Sequence, residues 1–508
     1  MRNITKKFGS IVANNDVWLD IWNGEILSLL GENGSGKTTL MNMLAGIYYP
    51  DAGKIYVGDE EVVISSPKDA FRYGIGMIHQ HFKLVSVLSA AENVVLGLDI
   101  KPVLDMKEVS RRVKEISDRY HFNIDPEKKV YDMSVSEKQT LEIIKVLYRG
   151  ANILILDEPT AVLTPQETER LFDVLREMKK DGKSIVIITH KLNEVMALAD
   201  RVAVLRKGHF VGDMLVKDTN PGEMTNMMVG RPVTLNINRP LPVNPQPRLK
   251  ISDLTVVNEE GVVKLDHVSF TAMGGEVLGI AGIAGSGQKE LLESIAGLCP
   301  VQSGSILYTP DGKPAAELVG RTPMQIKQAG VSLAFVPEDR LGMGLVGTMG
   351  MTGNMMIRSW KKGKGVLLQK KDPNELALKV KEELEVVTPD VNYPVRRLSG
   401  GNVQKVLVGR EIATEPTVLM SAYAVRGLDI NTSYIIYNLM TSQKQKGVAV
   451  VFVGEDLDVL LELCDRILVL CDGKVTGIVD ARNITKEEIG FLMTNDKEKG
   501  GSGNAENG

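Results

Sequence analysis

Two glycine-rich stretches have the composition of phosphate-binding loops. GENGSGKT (31–38) and GIAGSGQK (282–289) begin 251 residues apart, and each stands between an apolar run and a helical pattern. Glycines let the backbone curl so that successive N–H groups point at phosphate oxygens, and the following helix adds partial positive charge. The first stretch predicts a phosphate site that comprises Gly31, Glu32, Asn33, Gly34, Ser35, Gly36, Lys37, Thr38 and Thr39.

The two stretches differ at the residues that do the chemistry. Lys37 is expected to reach the β and γ phosphates, and the Thr38 hydroxyl is expected to ligate Mg²⁺. Gln288 and Lys289 take these two positions in the second stretch. Lys289 is not expected to replace Lys37, because one position along a helix rotates a side chain by about 100°.

Acidic residues follow a further apolar run, ILILDEP (153–159). Asp157 can hold Mg²⁺ through water, and Glu158 can orient and deprotonate the attacking water. An Asp-Glu pair after an apolar run also occurs at the start of a helix or turn, but the phosphate loop favours the catalytic interpretation. His190 follows the apolar run SIVIIT (184–189) and could reach the γ-phosphate, with a structural histidine as the alternative.

Alternating patterns predict the elements that position these residues. Segments 25–31, 152–159 and 184–190 are predicted to be buried strands, and 39–47 and 166–180 are predicted to be helices. This alternation predicts an α/β fold with a mostly parallel sheet and helices packed on it.

The chain contains two copies of this pattern. MSVSE (133–137) pairs with LSGGN (398–402), and ALADRVAVL (197–205) pairs with ELCDRILVL (462–470), both at an offset of 265. The second copy therefore has about 14 additional residues after its glycine loop. We predict domains at 1–230 and 249–495, a proline-rich linker at 231–248 and a disordered tail at 496–508.

Composition limits the classes of function. The 508 residues are too many for one hydrophobic core, and the net charge of −4 disfavours a nucleic-acid partner. No apolar run reaches the roughly 18 residues that span a bilayer, and the amino terminus lacks a signal-peptide core. Cys299, Cys464 and Cys471 are too scattered for a zinc or disulfide frame. These features predict a cytosolic protein without lipid insertion, able to dock on a membrane protein.

The order GENGSGKT, HQHF, MSVSE, LDEPT, ITH resembles the nucleotide-binding domain of ATP-binding cassette transporters, and the resemblance covers nearly the whole chain twice. It implies two tandem P-loop cassette domains, each with a mostly parallel core sheet, an antiparallel β subdomain and a helical subdomain. It also implies ATP and Mg²⁺, with Thr38, Gln80 and Asp157 as metal ligands and with Glu158, His190 and Gln80 as catalytic residues. Phe8 matches the aromatic that stacks on adenine, although a core position is the alternative.

In that family, each site draws its signature residues from the opposite domain. The resemblance therefore implies that Ser399, Gly400 and Gly401 cap the ATP bound at Lys37. The other site combines Gln288 with Ala422, Tyr423, Glu338 and Glu455 and with the altered signature residue Ser136. Glu455 is expected to repel a γ-phosphate unless it is protonated. One competent and one degenerate site are predicted.

Tandem domains with VPEDR (336–340) and LSGGNVQKV (398–406) resemble the ATPase subunit of sugar and nucleoside importers, and 76–97 is closest to the nucleoside branch. The resemblance implies two transmembrane permease subunits, an extracytoplasmic substrate-binding lipoprotein as an indirect partner, and a peripheral location on the cytoplasmic face of the membrane. Ribose and galactose importers are the nearest alternative. A further alternative is a soluble tandem-cassette ATPase acting on the ribosome, which the short proline-rich linker disfavours. Another is a regulatory pseudo-ATPase, which the complete first site disfavours.

Overall fold

The chain divides into two compact units, residues 1–234 and 235–508. The computed structural model describes residues 1–9, 11–80, 82–98, 105–161, 163–230, 237–258, 260–310, 312, 314–359 and 369–494. Strand pairing begins at Gln246, three residues inside the predicted linker, because Gln246 already pairs with Gly274 in an antiparallel ladder. Residues 231–236 of the predicted linker and the predicted tail at 496–508 lie outside the described residues.

The first unit contains two sheets and eight helices within its described ranges. Its strands are β1 Arg2–Phe8, β2 Ile11–Val17, β3 Ile26–Leu30, β4 Ala52–Val57, β5 Glu60–Val62, β6 Ile75–Ile78, β7 Ile153–Asp157, β8 Ser184–Thr189, β9 Arg201–Arg206 and β10 His209–Leu215. Its helices are α1 Lys37–Leu44, α2 Pro67–Arg72, α3 Ala90–Val95, α4 Met106–Arg119, α5 Val135–Tyr148, α6 Pro165–Lys180, α7 Leu192–Leu198 and α8 Pro221–Val229.

The larger sheet of this unit has the order β10-β9-β3-β8-β7-β6, and only β10 runs antiparallel to its neighbour. The smaller sheet, β2-β1-β4-β5, is antiparallel throughout. Strand β3 is buried along its whole length because both faces of the larger sheet are covered. Leu27 and Leu29 pack into the core that contains α1, and Ile26 packs on the opposite face with Phe172 and Leu175 of α6.

A separate core lies among α3, α4 and α5. Ala91 and Val94 of α3, Val113 of α4 and Leu141 of α5 are all buried in it. This helical subdomain, together with the antiparallel sheet, flanks the parallel core sheet. Helix α5 begins directly after Ser134, so the segment MSVSE lies at its amino terminus. The same helix also contacts β6 of the central sheet.

The second unit follows the same plan. Its strands are β11 Gln246–Val257, β12 Val263–Gly274, β13 Val277–Gly282, β14 Ser303–Tyr308, β15 Ala316–Glu317, β16 Leu333–Val336, β17 Val418–Ala422, β18 Ala449–Val453, β19 Arg466–Cys471 and β20 Lys474–Asp480. Its helices are α9 Gln288–Ile295, α10 Pro323–Gln328, α11 Met351–Ser359, α12 Lys371–Glu383, α13 Gly400–Ile412, α14 Ile430–Gln445, α15 Leu457–Leu463 and α16 Lys486–Thr494.

Its sheets have the orders β12-β11-β14-β15 and β16-β17-β18-β13-β19-β20. The second of these is parallel except for β20. The predicted fold class is therefore confirmed in both units: a mostly parallel core sheet, an antiparallel sheet and a group of helices. No helix in the described ranges combines the length and the apolar character needed to cross a bilayer.

An arginine–glutamate ion pair recurs in both units at the start of the central strand, and both of its side chains are buried in the first unit. The Arg201 guanidinium lies 2.7 Å from the Glu25 carboxylate, and Arg466 lies 2.6 Å from Glu276. Arg201 also donates to the carbonyl oxygen of Asp20 at 2.6 Å. Side-chain exposure is only 3% for Arg201 and 7% for Glu25, and Arg201 also pairs with Asp213, so Arg201 is the counter-charge that keeps Glu25 compensated in the core.

We expect Glu25→Ala to lower the free energy of unfolding of the first unit by about 3–5 kcal/mol, because it leaves Arg201 buried without its bidentate partner. Urea unfolding of the full chain measures this loss. Glu61→Ala is the matched control: Glu61 pairs with Lys54 on the surface, where both side chains are about half exposed. Equal losses in the two variants would contradict a special role for the buried pair.

Candidate functional site

Four parallel strands of the first unit end at the same edge of the sheet. In the ladder, Leu30 of β3 lies beside Thr189 of β8, and Asp157 of β7 lies beside Ile188. Ile78 of β6 lies beside Leu156. The segments that follow these strands therefore meet, and they carry the glycine loop, Glu158, His190 and Gln80.

The glycine loop has the backbone that a phosphate cradle requires. Gly34 and Gly36 adopt φ values of 79° and 96°, and a side chain at Gly36 would place its Cβ 2.3 Å from the carbonyl oxygen of Ala13. Helix α1 begins at the next residue, Lys37. The loop and the start of α1 thus have the backbone conformation of an anion-binding loop at a helix amino terminus.

Lys37 is folded back onto this loop. Its ammonium donates to the carbonyl oxygens of Gly31 at 2.7 Å and Glu32 at 2.9 Å. The side chain is nearly buried, and this burial lowers the pKa of Lys37 against the opposing effect of the carboxylates of Glu158 and Asp157. Lys37 is therefore held at the loop by neutral carbonyl oxygens, which an anion can replace.

Asp157 and Thr38 form a pair of oxygen donors. The Thr38 hydroxyl donates to Asp157 Oδ2 at 3.1 Å. Burial raises the pKa of Asp157 above its ordinary value, and the Thr38 hydrogen bond only partly opposes this effect. The buried carboxylate therefore gains stability from a cation placed beside it.

Glu158 connects three strand ends. Its carboxylate accepts a hydrogen bond from Gln80 Nε2 at 3.0 Å and lies 2.8 Å from His190 Nδ1. The hydrogen bond with His190 is the largest cause that lowers the pKa of Glu158. Glu158 has a φ of 47°, and its N–H donates to Ile188 at 2.9 Å. This strained backbone directs the carboxylate back across the sheet edge.

The structure thus brings together the predicted loop residues with Gln80, Asp157, Glu158 and His190. Phe8 belongs to the antiparallel sheet instead, and its ring is 43% exposed and packs edge-on against Tyr48 at 5.2 Å. The alternative of a core position for Phe8 is therefore wrong. Ser399, Gly400 and Gly401 lie in the second unit, where Ser399 caps α13.

The second unit retains the backbone of this site. Gly285 and Gly287 have φ values of 93° and 99°, close to those of their counterparts in the first unit. Tyr423, which takes the place of Glu158, has a φ of 50°, and its N–H donates to Val453 at 3.0 Å. The positions of the loop and of the strand end are therefore retained without their catalytic side chains.

The replacing side chains cannot perform the same chemistry. Gln288 is 2% exposed, and its amide donates to the carbonyl oxygen of Ile283 at 3.0 Å, so it folds onto the loop as Lys37 does but without a charge. Lys289 points away to the surface, where its ammonium lies 3.8 Å from Glu293. Burial raises the pKa of Tyr423 to about 12, so its hydroxyl is a poor base.

Arg426 is a residue that the sequence analysis missed. Its guanidinium lies 2.6 Å from Glu338 and 3.2 Å from Glu455, which are the counterparts of Gln80 and His190. Arg426 therefore compensates the charge of Glu455, which reduces the repulsion expected between Glu455 and a γ-phosphate. The repeat offset of 265 places Arg426 opposite Ala161, and this exchange of alanine for arginine was the available signal.

The first unit also contains a missed cluster around Glu194. Its carboxylate accepts hydrogen bonds from the hydroxyls of Thr160 and Thr189, and it lies 3.1 Å from the Lys191 ammonium. These residues stand directly after β7 and β8, so they hold together the two segments that carry Glu158 and His190. Only the spatial proximity of the strand ends connects Thr160 to this cluster, since Thr160 lies 34 residues before Glu194 in the chain.

The model of the ABC transporter family matches the chain twice, at residues 14–161 and 265–421. The guanosine import ATP-binding protein NupO of Bacillus subtilis is 41% identical over 98% of both chains. The nucleoside import ATP-binding protein NupA of Lactococcus lactis is 39% identical over 97% of both chains. The glucose import ATP-binding protein TsgD13 of Haloferax volcanii is also 39% identical, over 97% of this chain and 95% of its own.

Among solved structures, a complex of archaeal ribosomal stalk protein aP1 with archaeal ribosome recycling factor aABCE1 covers 92% of this chain and 87% of its own, with a TM-score of 0.59 and 16% identity. At that identity, the likeness shows the fold alone. The full-length relatives and the two family matches carry more information. The chain therefore belongs to the ABC transporter family, as a tandem ATP-binding protein of the sugar and nucleoside import type and an ATPase coupled to transport.

Proposed function

We propose that this protein hydrolyses ATP at the first unit only and couples this hydrolysis to the import of nucleosides. The observation that carries the proposal is the Glu158 carboxylate held between Gln80 and His190 beside the Thr38–Asp157 pair. A general base, a phosphate cradle and oxygen donors for a metal thus occur together in one unit. The other unit keeps the backbone of the cradle but has Gln288, Ala422 and Tyr423 in place of Lys37, Asp157 and Glu158.

The donor set fits Mg²⁺. Thr38 and Asp157 offer oxygen atoms, and burial raises the pKa of Asp157 more than the Thr38 hydrogen bond and the Lys37 charge lower it. Gln80 uses its amide N–H on Glu158, so its side-chain carbonyl oxygen is the atom that remains for a metal. When bound, Mg²⁺ would neutralise phosphate charge between Thr38, Gln80 and Asp157.

The protein's own residues supply the other steps. The loop N–H groups and Lys37 would bind the β and γ phosphates, with phosphate oxygens replacing the carbonyl oxygens that Lys37 now contacts. Glu158, kept ionised by its hydrogen bond with His190, would accept a proton from the attacking water. His190 orients this carboxylate and would contact the γ-phosphate, while Phe8 offers an exposed ring for the adenine.

We further propose that the site is composite. Ser399 is exposed at the amino terminus of α13, and the N–H groups of Gly400 and Gly401 open that helix. These groups would cap the ATP bound by the first unit's loop. Ser134 stands at the matching position of α5, but Ser136 replaces the corresponding glycine, so the capping surface for the second loop is impaired.

The second loop is unsuited to hydrolysis on electrostatic grounds as well. A cavity of about 350 Å³ beside it is lined by Glu293, Glu338 and Asp339 but by only one cation, Lys289. Ala422 replaces the metal-binding Asp157, and Arg426 fills the place between the Gln80 and His190 counterparts with a side chain that cannot accept a proton. The second site is accordingly proposed to be catalytically inactive.

The proposed cargo is a nucleoside, because the guanosine and nucleoside import proteins align with the chain over nearly its full length. The equally similar glucose import protein keeps simple sugars as the competing class. The proposed partners are two permease subunits and, indirectly, a substrate-binding lipoprotein, with this protein peripheral on the cytoplasmic face. The alternative role on the ribosome has only the shared fold in its favour.

Lys37→Ala is expected to reduce ATP hydrolysis by about 100-fold or more, because it removes the cation that stabilises the transferring phosphate. Gln288→Ala, at the same place in the second unit, should leave the rate within about twofold of the parent, since Gln288 is uncharged and its amide is engaged with the loop carbonyl oxygen of Ile283. Phosphate release by the assembled transporter measures both rates. Comparable losses would contradict the assignment of one active loop.

The pH dependence of the rate tests the Glu158–His190 pair. The hydrogen bond with His190 lowers the pKa of Glu158, so the carboxylate stays ionised as the pH falls. Without His190 its pKa rises, so Glu158 is protonated, and activity is lost, earlier in a descending pH series. We therefore expect the acidic limb of the kcat profile to move to higher pH in His190→Ala. His190→Asn keeps an N–H donor and should move it less; an unmoved limb in both variants would refute the pairing.

The substrate class is tested on the cognate receptor protein. We expect it to bind guanosine or another nucleoside in calorimetric titration, and the nucleoside to stimulate ATP hydrolysis by the reconstituted transporter. Ribose, galactose and glucose are the matched alternatives. Sugar binding without nucleoside binding would transfer the assignment to the sugar class, and co-sedimentation with ribosomes would favour the translation role.

A further inference from the structure

The first glycine loop is in contact with the antiparallel sheet of its own unit. Asn14 of β2 lies against Gly36, the residue that precedes α1, and its Nδ2 donates to the Gly36 carbonyl oxygen at 3.2 Å. A Cβ on Gly36 would lie 2.6 Å from the same Nδ2 and 2.3 Å from the carbonyl oxygen of Ala13. Strand β2 therefore packs directly on the backbone that leads into α1.

The next residue of β2 supports the loop through the turn between β9 and β10. The N–H of Asn15 donates to the carbonyl oxygen of Gly208 at 2.8 Å, and the N–H of Gly208 donates to the carbonyl oxygen of Ser35 at 3.0 Å. The same two backbone bonds recur around Gly473 in the second unit, at 2.9 Å and 3.2 Å. The backbone support of the loop is therefore common to both units.

The side-chain contact with the loop differs between the units. At the offset of 251 that relates the two loops, Leu265 takes the place of Asn14, and its Cδ2 would be 2.6 Å from a Cβ on Gly287. The carbonyl oxygen of Gly287 accepts from the N–H of Leu291 at 2.9 Å, and the leucine side chain beside it has no donor. The carbonyl oxygen before α1 accepts from the N–H of Leu40 at 2.9 Å and from Asn14 as well.

The amide of Asn14 is an unfavourable group for its position. The side chain is fully buried, and its Oδ1 has no hydrogen-bond partner within the described part of the chain. A buried polar atom without a partner destabilises the folded state. The fully buried Leu265 shows that the same backbone accommodates an apolar side chain at this place. Stability alone therefore does not account for an asparagine in the first unit.

We infer that Asn14 is a positioning residue, which strengthens the binding of nucleotide phosphates by the first loop through the Gly36–Lys37 peptide group. The Gly36 carbonyl and the Lys37 N–H belong to one peptide, so a donor at the oxygen polarises the N–H toward a phosphate. Lys37 is the first residue of α1, where an N–H has no partner within the helix. The inference rests on the proposed ATP site of the first unit and deepens it, because it extends that site to β2.

The affinity of the full chain for ADP with Mg²⁺, measured by calorimetric titration, tests this inference. ADP carries the α and β phosphates, which the backbone N–H groups of such a loop hold. Asn14→Leu copies the second unit and should weaken ADP binding about fivefold, as expected for the loss of one hydrogen bond. Asn15→Leu is the matched control, because Asn15 is exposed and contacts Gly208 through a backbone N–H that the substitution keeps. Lys37→Ala measures the binding that occurs outside the first loop.

Steady-state hydrolysis by the assembled transporter separates positioning from stability. Asn14→Leu should raise the KM for ATP about fivefold and leave kcat within about twofold, because the peptide N–H binds phosphate in the ground state and the transition state alike. Its thermal unfolding should occur at the same or a higher temperature, since the substitution removes the unpaired Oδ1. Should the leucine variant fail to fold, Asn14→Ala decides the outcome in the same measurements.

Two results would overturn the inference. The first is equal ADP affinity in Asn14→Leu and Asn15→Leu while Lys37→Ala abolishes the binding, in which case the proposed ATP site stands without Asn14. The second is a lower unfolding temperature of Asn14→Leu with an unchanged KM, which would make Asn14 a purely structural residue. Unchanged ADP binding in Lys37→Ala would instead contradict the proposed site itself and, with it, the role of Asn14.

Discussion

The placement of one carboxylate, that of Glu158, is the constraint on which the account depends. Glu158 follows β7, and it contacts Gln80 after β6 and His190 after β8. Only a parallel sheet brings these three chain segments to one edge, and only the unusual backbone at Glu158 turns its side chain toward both partners. The buried strands, the glycine loop and the covering helices thus hold the proposed base and the proposed phosphate cradle at one edge of the sheet.

The second unit separates fold from chemistry. Its loop, its strand register and even the positive φ at Tyr423 match the first unit, so the backbone does not depend on the catalytic side chains. The charge arrangement is inverted, however: in the first unit an anion lies between an amide and an imidazole, and in the second the Arg426 cation lies between two carboxylates. In both units, therefore, side-chain contacts join the same three segments.

Much of the fold follows from the sequence because periodicity and burial agree. The strands predicted at 25–31, 152–159 and 184–190 are β3, β7 and β8, and the helix predicted at 166–180 is α6, which starts one residue earlier at Pro165. The site residues of the first unit could be predicted because the loop and the acidic pair follow buried strands. The contacts of Arg426 and of the Glu194 cluster could not, because they join side chains on segments distant in the chain. The start of β11 inside the linker was missed for a similar reason: its pairing with β12 outweighs the local proline signal.

The central claim is that only one of the two loops hydrolyses ATP. The most direct measurement is the number of ADP molecules that orthovanadate traps per chain when the assembled transporter turns over saturating Mg-ATP, followed by photocrosslinking of an azido nucleotide to locate them. The account predicts one trapped ADP per chain, crosslinked to the first unit. Two trapped ADP molecules per chain, or one crosslinked beside Gln288, would contradict it.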